Sequence, residues 1–434
     1  MRIKLIVVSI AFLTSLQAQD SSFTLKQSLD LAIKQNLDIQ IAQSDLEIAT
    51  LNNNWGNAGA LPVITGNIGN SEARTNINQK LANGSSIERN NVANSSINAN
   101  IGVSWRVFNG FRIRATKNRF DVLEKMGEIA VKQQIDEIIF NVTNVYYNLV
   151  RLHKQINATK AIIELSKERL KIAETRFSVG SGAKTDMLQA GIDLNAQMVN
   201  LNRILNQVEN TKAGMNVLLQ RNPNTPFHTL DNDFAIQKID YNNLIQKLES
   251  QNNLLQIAAQ ERINLLNERT IINSQRLPSL TFNTNTVLNR SKSTAGFFLT
   301  NQTFGPNIGL SVGVPIFNGN INKTQLKVNE IQVKQQSYQQ ESLKTNLQRD
   351  LLIAYQDYLN ALENSKIEEN NVKLAEENNM ISTERFRKLQ SNSIELRQAQ
   401  LSLIEAQDKY IDAQYQAQIA VSTLLFLSGE ISKY

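Results

Sequence analysis

From Asn98 to Phe108 apolar and polar residues alternate. Ala99, Ile101, Val103, Trp105 and Val107 fall on one side, and Asn98, Asn100, Gly102, Ser104 and Arg106 on the other. A period of two belongs to a β-strand with one apolar and one wet face. The pattern breaks at Asn109-Gly110, and a helical one replaces it. Between Phe111 and Phe177 there is no proline and a single glycine, Gly127. Ile138, Val142, Val145, Leu149, Leu152, Ile156, Thr159, Ile163, Ser166, Leu170, Ala173 and Phe177 recur at alternate spacings of four and three, a heptad seam. A helix over 111–177 would be on the order of 100 Å long at 1.5 Å per residue, too long for an ordinary globular domain.

The same stretch occurs twice. Phe317-Asn318-Gly319 repeats Phe108-Asn109-Gly110 at an offset of 317 − 108 = 209. The offset holds for Tyr146 and Tyr355, for Arg176-Phe177 and Arg385-Phe386, and for Gln189-Ala190 and Gln398-Ala399. Upstream it becomes 277 − 61 = 216, with Leu61-Pro62 matching Leu277-Pro278 and Asn36 matching Asn252. The pattern therefore predicts a tandem duplication. The first repeat spans 19–220, with a hairpin at 61–108, a long helix at 111–177 and a return helix at 183–219. A linker follows at 221–240. The second repeat spans 241–434, with a hairpin at 277–317, a long helix at 320–388 and a return helix at 393–427. The second seam runs through Leu347, Leu351, Ala354, Tyr358 and Ala361, then weakens at Ser365, Glu368 and Asn379.

Other elements fall around this frame. Met1 to Ala18 reads as a secretory signal, with Arg2 and Lys4 before an apolar core too short to span a bilayer. A capping box at Thr24-Leu25-Lys26-Gln27 predicts a helix reaching about Asn54. Pro62 opens a weaker strand over 63–71. Residues 71–95, rich in Asn, Ser and Gly, read as an exposed loop. In the second repeat strands are expected at Leu280–Asn289 and Asn307–Phe317, and a helix at 241–273.

Strands of 9 to 11 residues suit a tilted membrane span. Four of them cannot close alone, and open edges are not tolerated in lipid. Two chains would supply eight strands with a filled interior, and three would supply twelve around a water-filled lumen. The expected fold is thus mixed α and β, mostly α: a tandem-duplicated protomer with four membrane strands and long antiparallel coiled-coil helices. Closure as a trimeric 12-stranded β-barrel would be continued by an α-helical barrel. A return helix is about half as long as the helix it follows. Chain direction predicts that the helix at 241–273 completes the first return helix, and that the helix at 25–56 completes the one at 393–427. Their joints, the linker and the termini should gather in one belt. A soluble sandwich is the other reading of the strands. Trp105, Phe108, Phe282 and Phe317 sit on or near strand ends, either as a membrane-interface girdle or as core packing.

Composition narrows the chemistry. There is no cysteine, so no disulfide, thiolate metal site or lipidated cysteine is expected. The net charge is +6, or 43 − 39 = +4 without Arg2 and Lys4, and no basic stripe with aromatics points to nucleic acid. His153 and His228 lack ligand-spaced partners, and Gly180-Ser181-Gly182 follows no strand, so it is no nucleophile elbow. No enzyme, metal or cofactor is expected.

The chain resembles the TolC family of outer-membrane efflux channels over nearly its whole mature length. The resemblance rests on the duplication, the Leu-Pro before each hairpin, the Phe-Asn-Gly at each strand-to-helix junction and the run from Arg176 to Ala190. It implies a homotrimeric duct in the outer membrane of a Gram-negative cell, extending into the periplasm. The duct would serve a tripartite efflux or type I secretion system, with a periplasmic adaptor and an inner-membrane transporter as partners and outer-membrane lipid around the barrel. It implies that the tips Val179, Gly180, Ser181, Gly182, Leu389, Gln390 and Ser391 meet the adaptor; simple helix capping by the glycines is the alternative. It also implies a periplasmic gate at Asp186, Gln189, Glu395 and Gln398, with Glu395 otherwise a helix-start acid. Phe386 and Ser391 stand where the family can offer a tyrosine and an arginine, so Arg385, Arg387 or Lys388 would have to partner Asp186. A passive porin and a periplasmic coiled-coil adaptor are the rival functions. The porin leaves the long helices unexplained, and the adaptor predicts one hairpin and no duplication.

Overall fold

The structure is a computed structural model that describes residues 21–230, 233–234, 236–295 and 298–433. The expected signal segment 1–18 lies outside the described residues. In chain order the elements are β1 (Ser21–Phe23), α1 (Leu25–Gln35), α2 (Leu37–Asn52), β2 (Val63–Lys80), β3 (Ser86–Asn109), α3 (Arg112–Ser178) and α4 (Lys184–Leu218). Then come β4 (Phe227–Thr229), α5 (Tyr241–Gln251), α6 (Asn253–Ser274), β5 (Ser279–Ser293), β6 (Thr300–Gly313), α7 (Ile321–Arg387) and α8 (Ser393–Ser428). Among the described residues no helix is long and apolar enough to cross a membrane. The chain forms two compact units, one of residues up to 42, 131–255 and from 343, the other of 43–130 and 256–342.

The first unit is helical. Its core holds the α3 seam: Val142 and Leu149 are fully buried, and Ile138 and Leu152 almost so, packed with Ile204, Val208 and Met215 of α4. The α7 seam does not end where its sequence weakens. Ala375, Asn379, Ser382 and Phe386 are all buried. Tyr146 donates to the carbonyl of Phe23 at 3.1 Å, and β1 pairs in parallel with β4, so the start of the described chain is tied to the linker.

The expected helices 25–54 and 241–273 are each broken, at Asn36 and Asn252, whose extended backbones cannot continue a helix. Each amide works in two directions. Asn36 Oδ1 accepts from Asp38 N at 2.9 Å, capping α2, while its Nδ2 donates to the last carbonyl of α4, Leu218 O, at 3.2 Å. Asn252 Oδ1 accepts from Leu255 N at 3.2 Å, and its Nδ2 donates to Leu427 O in α8 at 3.0 Å. Helix ends carry such orphan groups, and one amide can satisfy both sides of a joint. The expected joining of halves is therefore corrected: α4 meets the break in its own repeat, and α8 meets the break at Asn252.

The second unit carries the antiparallel sheet β2-β3-β5-β6. Val63 opposes Ser104 in the first hairpin, and Ser279 opposes Gly313 in the second, the same register at the sequence offsets. Opposed residues share a face. One face collects Ile64 and Ile68, Ala99, Ile101, Val103 and Trp105, Phe282 and Leu288, then Phe304, Ile308, Leu310 and Val312. The other collects Asn67, Asn98, Asn100, Ser104, Asn283, Asn285, Asn307 and Ser311. The loop expected at 71–95 is instead strand to Lys80 and again from Ser86. Ladder hydrogen bonds are made by backbone, so a stretch poor in apolar side chains can extend a hairpin that apolar rows have already registered. The fourth strand stops at Gly313, short of the expected Phe317, just before Pro315, which has no N–H to donate.

Candidate functional site at the helix tips

The two tips sit in the helical unit. After α3 the chain turns with Gly180 at φ +75°, and Ser181 N donates to Arg176 O at 2.8 Å. A Cβ on Gly182 would lie 2.9 Å from Arg176 Cβ, so the turn closes tightly against the helix end. The second tip repeats the turn with Leu389 at φ +62° and Gln390 N donating to Arg385 O at 2.8 Å. Val179, Gly180, Ser181, Leu389 and Gln390 are exposed, while Gly182 and Ser391 are half-buried.

Beside the tips lies a polar cluster. Glu395 accepts from Arg385 Nη1 at 2.6 Å, and its backbone N–H donates to Asn392 Oδ1, which caps α8. Arg387 pairs with Glu168 and Glu384. Arg176 stacks on the buried Phe386 ring at 4.5 Å. Further along, Arg169 is only 3% exposed and pairs with Asp193, while its Nη1 donates to Gln400 Oε1 at 3.0 Å. Arg397 Nε donates to Asp193 Oδ2 at 3.0 Å, and Gln189 Nε2 to Asp193 Oδ1 at 2.8 Å. Burial pushes the Asp193 carboxyl up, but hydrogen bonds from Arg169, Gln189 and Arg397 outweigh it and hold the group below the usual range. One carboxylate thus ties α3, α4 and α8 together.

Of the residues expected at the gate, Gln189 joins the Asp193 cluster and Glu395 joins Arg385. Asp186 is half-buried and takes part in no ion pair among the described residues; Gln398 is exposed. Asp186 makes no ion pair with Arg385, Arg387 or Lys388 among the described residues; Arg385 pairs with Glu395, and Arg387 with Glu168 and Glu384. Arg169, Asp193 and Arg397 were missed by sequence reasoning. The signal was a lone arginine beside an apolar seam, at a position occupied by Asn378 in the second repeat. Among the described residues no cluster could hold a metal ion.

In the sheet-bearing unit, Trp105 opposes Phe282, and its Nε1 donates to Ala60 O at 2.8 Å. Phe108 packs edge-on against Phe111 at 5.3 Å. Phe317 is exposed and lies outside the strands.

Residues 28–219 and 244–430 match the family model described as outer membrane efflux protein. The fold is similar to the outer membrane protein VceC of Vibrio cholerae, at 15% identity and TM-score 0.76, covering 93% of this chain and 96% of that one. It is similar to the CmeC outer membrane channel of Campylobacter jejuni, at 18% identity and TM-score 0.71, covering 94% and 85%. A third likeness is the open state of the MtrE outer membrane channel of Neisseria gonorrhoeae, at 16% identity and TM-score 0.72, covering 98% and 94%. A search of curated protein sequences returned no match.

Proposed function

The chain belongs to the outer membrane efflux protein family, and from that premise we propose that three copies close a duct through which a tripartite efflux or secretion system discharges its substrates. The observation that carries the closure is the pair of free sheet edges. Within the chain β3 of the first repeat pairs with β5 of the second, while the outer edges of β2 and β6 have no partner among the described strands. An open edge is unsustainable in lipid. The in-chain register supplies the rule for closing it. Ile101 opposes Thr286; at the offsets of the duplication, Leu310 would oppose Asn70 of the next copy. Glycines at the strand-to-helix junctions support the same step. A Cβ on Gly110 would come within 2.6 Å of Ser274 O and 2.7 Å of Leu277 Cβ, whereas Gly319 has nothing within 4 Å. Ala58 and Leu61, the counterparts of Ser274 and Leu277, would cover Gly319 in the next copy. Three copies then give a ring of twelve strands with the apolar face to lipid and the Asn-rich face to the lumen.

In this reading Trp105, Phe108, Phe282 and Phe317 form the interfacial girdle, and the exposed tips engage a periplasmic adaptor that joins the duct to an inner-membrane transporter. The test uses the absence of native cysteine. Opposed residues on paired strands approach closely enough for a disulfide. Leu310→Cys with Asn70→Cys should give covalent trimers under oxidation, and each single variant only monomers on a denaturing gel. A folded double variant that yields only monomers would overturn the ring.

A further inference from the structure

Where the apolar face of the sheet ends, the second unit holds a basic cavity that neither gate nor tips employ. It measures about 670 Å³ and is lined by Arg269, Arg276, Lys323, Lys327, Asn322 and Glu330 together with residues 315–318. Four cations face one carboxylate, and none of the four is in an ion pair among the described residues. The first repeat has a smaller excess: positions matching the lining residues hold three cations, Arg106, Arg114 and Lys117, against one carboxylate, Asp121. Its counterparts of the four are Asn53, Ala60, Arg114 and Asn118, and its counterpart of Glu330, Asp121, is already held by Lys117 at 2.5 Å and Asn53 at 3.0 Å. Asn322 is 6% exposed, and its Oδ1 has no hydrogen-bond partner. Its counterpart is Ile113, so a buried amide stands where an aliphatic side chain serves the other repeat. Buried polar atoms are normally satisfied, and the residue that carries this one borders the cavity.

The cavity's place decides the ligand. The last opposed apolar pair on the sheet is Leu280 with Val312. Val314 and Ile316 follow, Ile316 being 96% exposed, and the cations begin within the next helical turns. In a membrane barrel that level is where hydrocarbon yields to headgroups, and basic side chains there meet lipid phosphate. The residues of a neighbouring copy that the closing rule places over Gly319, 58–61, contain no acidic side chain to neutralise the cavity.

We propose that this cavity binds the phosphate-bearing headgroup of a phospholipid from the leaflet next to the helices. The four cations take the phosphate; Glu330 takes the ammonium of an ethanolamine headgroup. The site rests on reading the sheet as a membrane barrel.

The mature trimer in detergent is titrated with phosphatidylglycerol or phosphatidylethanolamine, and bound lipid is counted by native mass spectrometry. Each cation removed in the series Arg269→Gln, Arg276→Gln, Lys323→Gln and Lys327→Gln should weaken both lipids roughly fivefold, the equivalent of about 1 kcal/mol per charge. Glu330→Gln should weaken phosphatidylethanolamine and spare phosphatidylglycerol. Inorganic phosphate should not displace either lipid. Unchanged lipid binding in the quadruple variant overturns the site. Full displacement by phosphate alone makes the ligand a free anion and overturns the lipid assignment. A parent chain absent from membrane fractions would instead sink the functional reading, whereas a membrane-resident trimer that fails to bind lipid sinks only the site.

Discussion

Single residues here carry opposite electrostatic signs. Asp136 is buried in the helical unit, where Asn253 Nδ2 donates to it at 2.8 Å. Loss of hydration raises its pKa to about 6 against an ordinary 3.8, although the Asn253 hydrogen bond opposes the shift. The folded state therefore holds a proton that the unfolded state releases, so stability falls as pH rises from about 4 to about 6 and stays reduced above that. Asp136→Asn keeps an acceptor for Asn253 and removes the charge. It should raise stability at pH 7.5 by up to about 3 kcal/mol and flatten that part of the pH profile. Thermal melts of the two proteins at pH 4.5 and 7.5 read this out. An equal gap at both pH values would count against it. Asp193 has the reverse sign: its paired carboxylate contributes above the ordinary carboxylate pKa, and that contribution is lost as pH falls through its lowered value.

At the scale of elements, the two tips share one turn with different residues. Gly180 takes the left-handed conformation freely, while Leu389 takes it at φ +62°. That conformation costs an L-residue about 1–2 kcal/mol. Leu389→Gly should gain most of this, less the entropy a glycine adds to the unfolded chain, and leave about 0.5–1 kcal/mol of net stabilisation. Leu389→Ala should show no such gain, and a lower melting temperature for the glycine variant would refute the strain. The helix breaks carry a comparable lesson. Asn36 and Asn252 were matched as repeats in the sequence, but nothing local marked them as breaks. At each break the Asn amide oxygen caps the helix that follows, through Asp38 N or Leu255 N, while its Nδ2 reaches a distant carbonyl, Leu218 or Leu427.

For the whole molecule the proposed gate is the point of leverage. Three Glu395 carboxylates around one axis would repel, and the Arg385–Glu395 ion pair would moderate that repulsion. Arg385→Ala should increase cation selectivity and divalent block of the trimer in planar bilayers, and Arg385→Ala with Glu395→Gln should abolish both gains. If Arg385→Ala leaves selectivity as in the parent, Glu395 does not face the pore. Asp193 belongs to a different layer: it ties three helices of one protomer and needs no neighbour.

The sequence by itself determined whatever repeats locally. Alternation from Asn98 to Phe108 marks a strand because successive side chains must point to opposite faces, and the heptads of α3 mark a buried seam because every third or fourth residue shares a side. The duplication was legible for the same reason, since it needs only the chain compared with itself. What only the tertiary structure decided depends on groups far apart in the chain. Backbone pairing extended the first hairpin through Asn- and Ser-rich stretches that carry no apolar code. Arg385 chose Glu395 over Asp186, and Arg169 found Asp193 and Gln400 on two other helices. A charge written in the sequence has no partner until the fold sets the distance, and Coulomb attraction and hydrogen bonds act only across the short distances that folding creates.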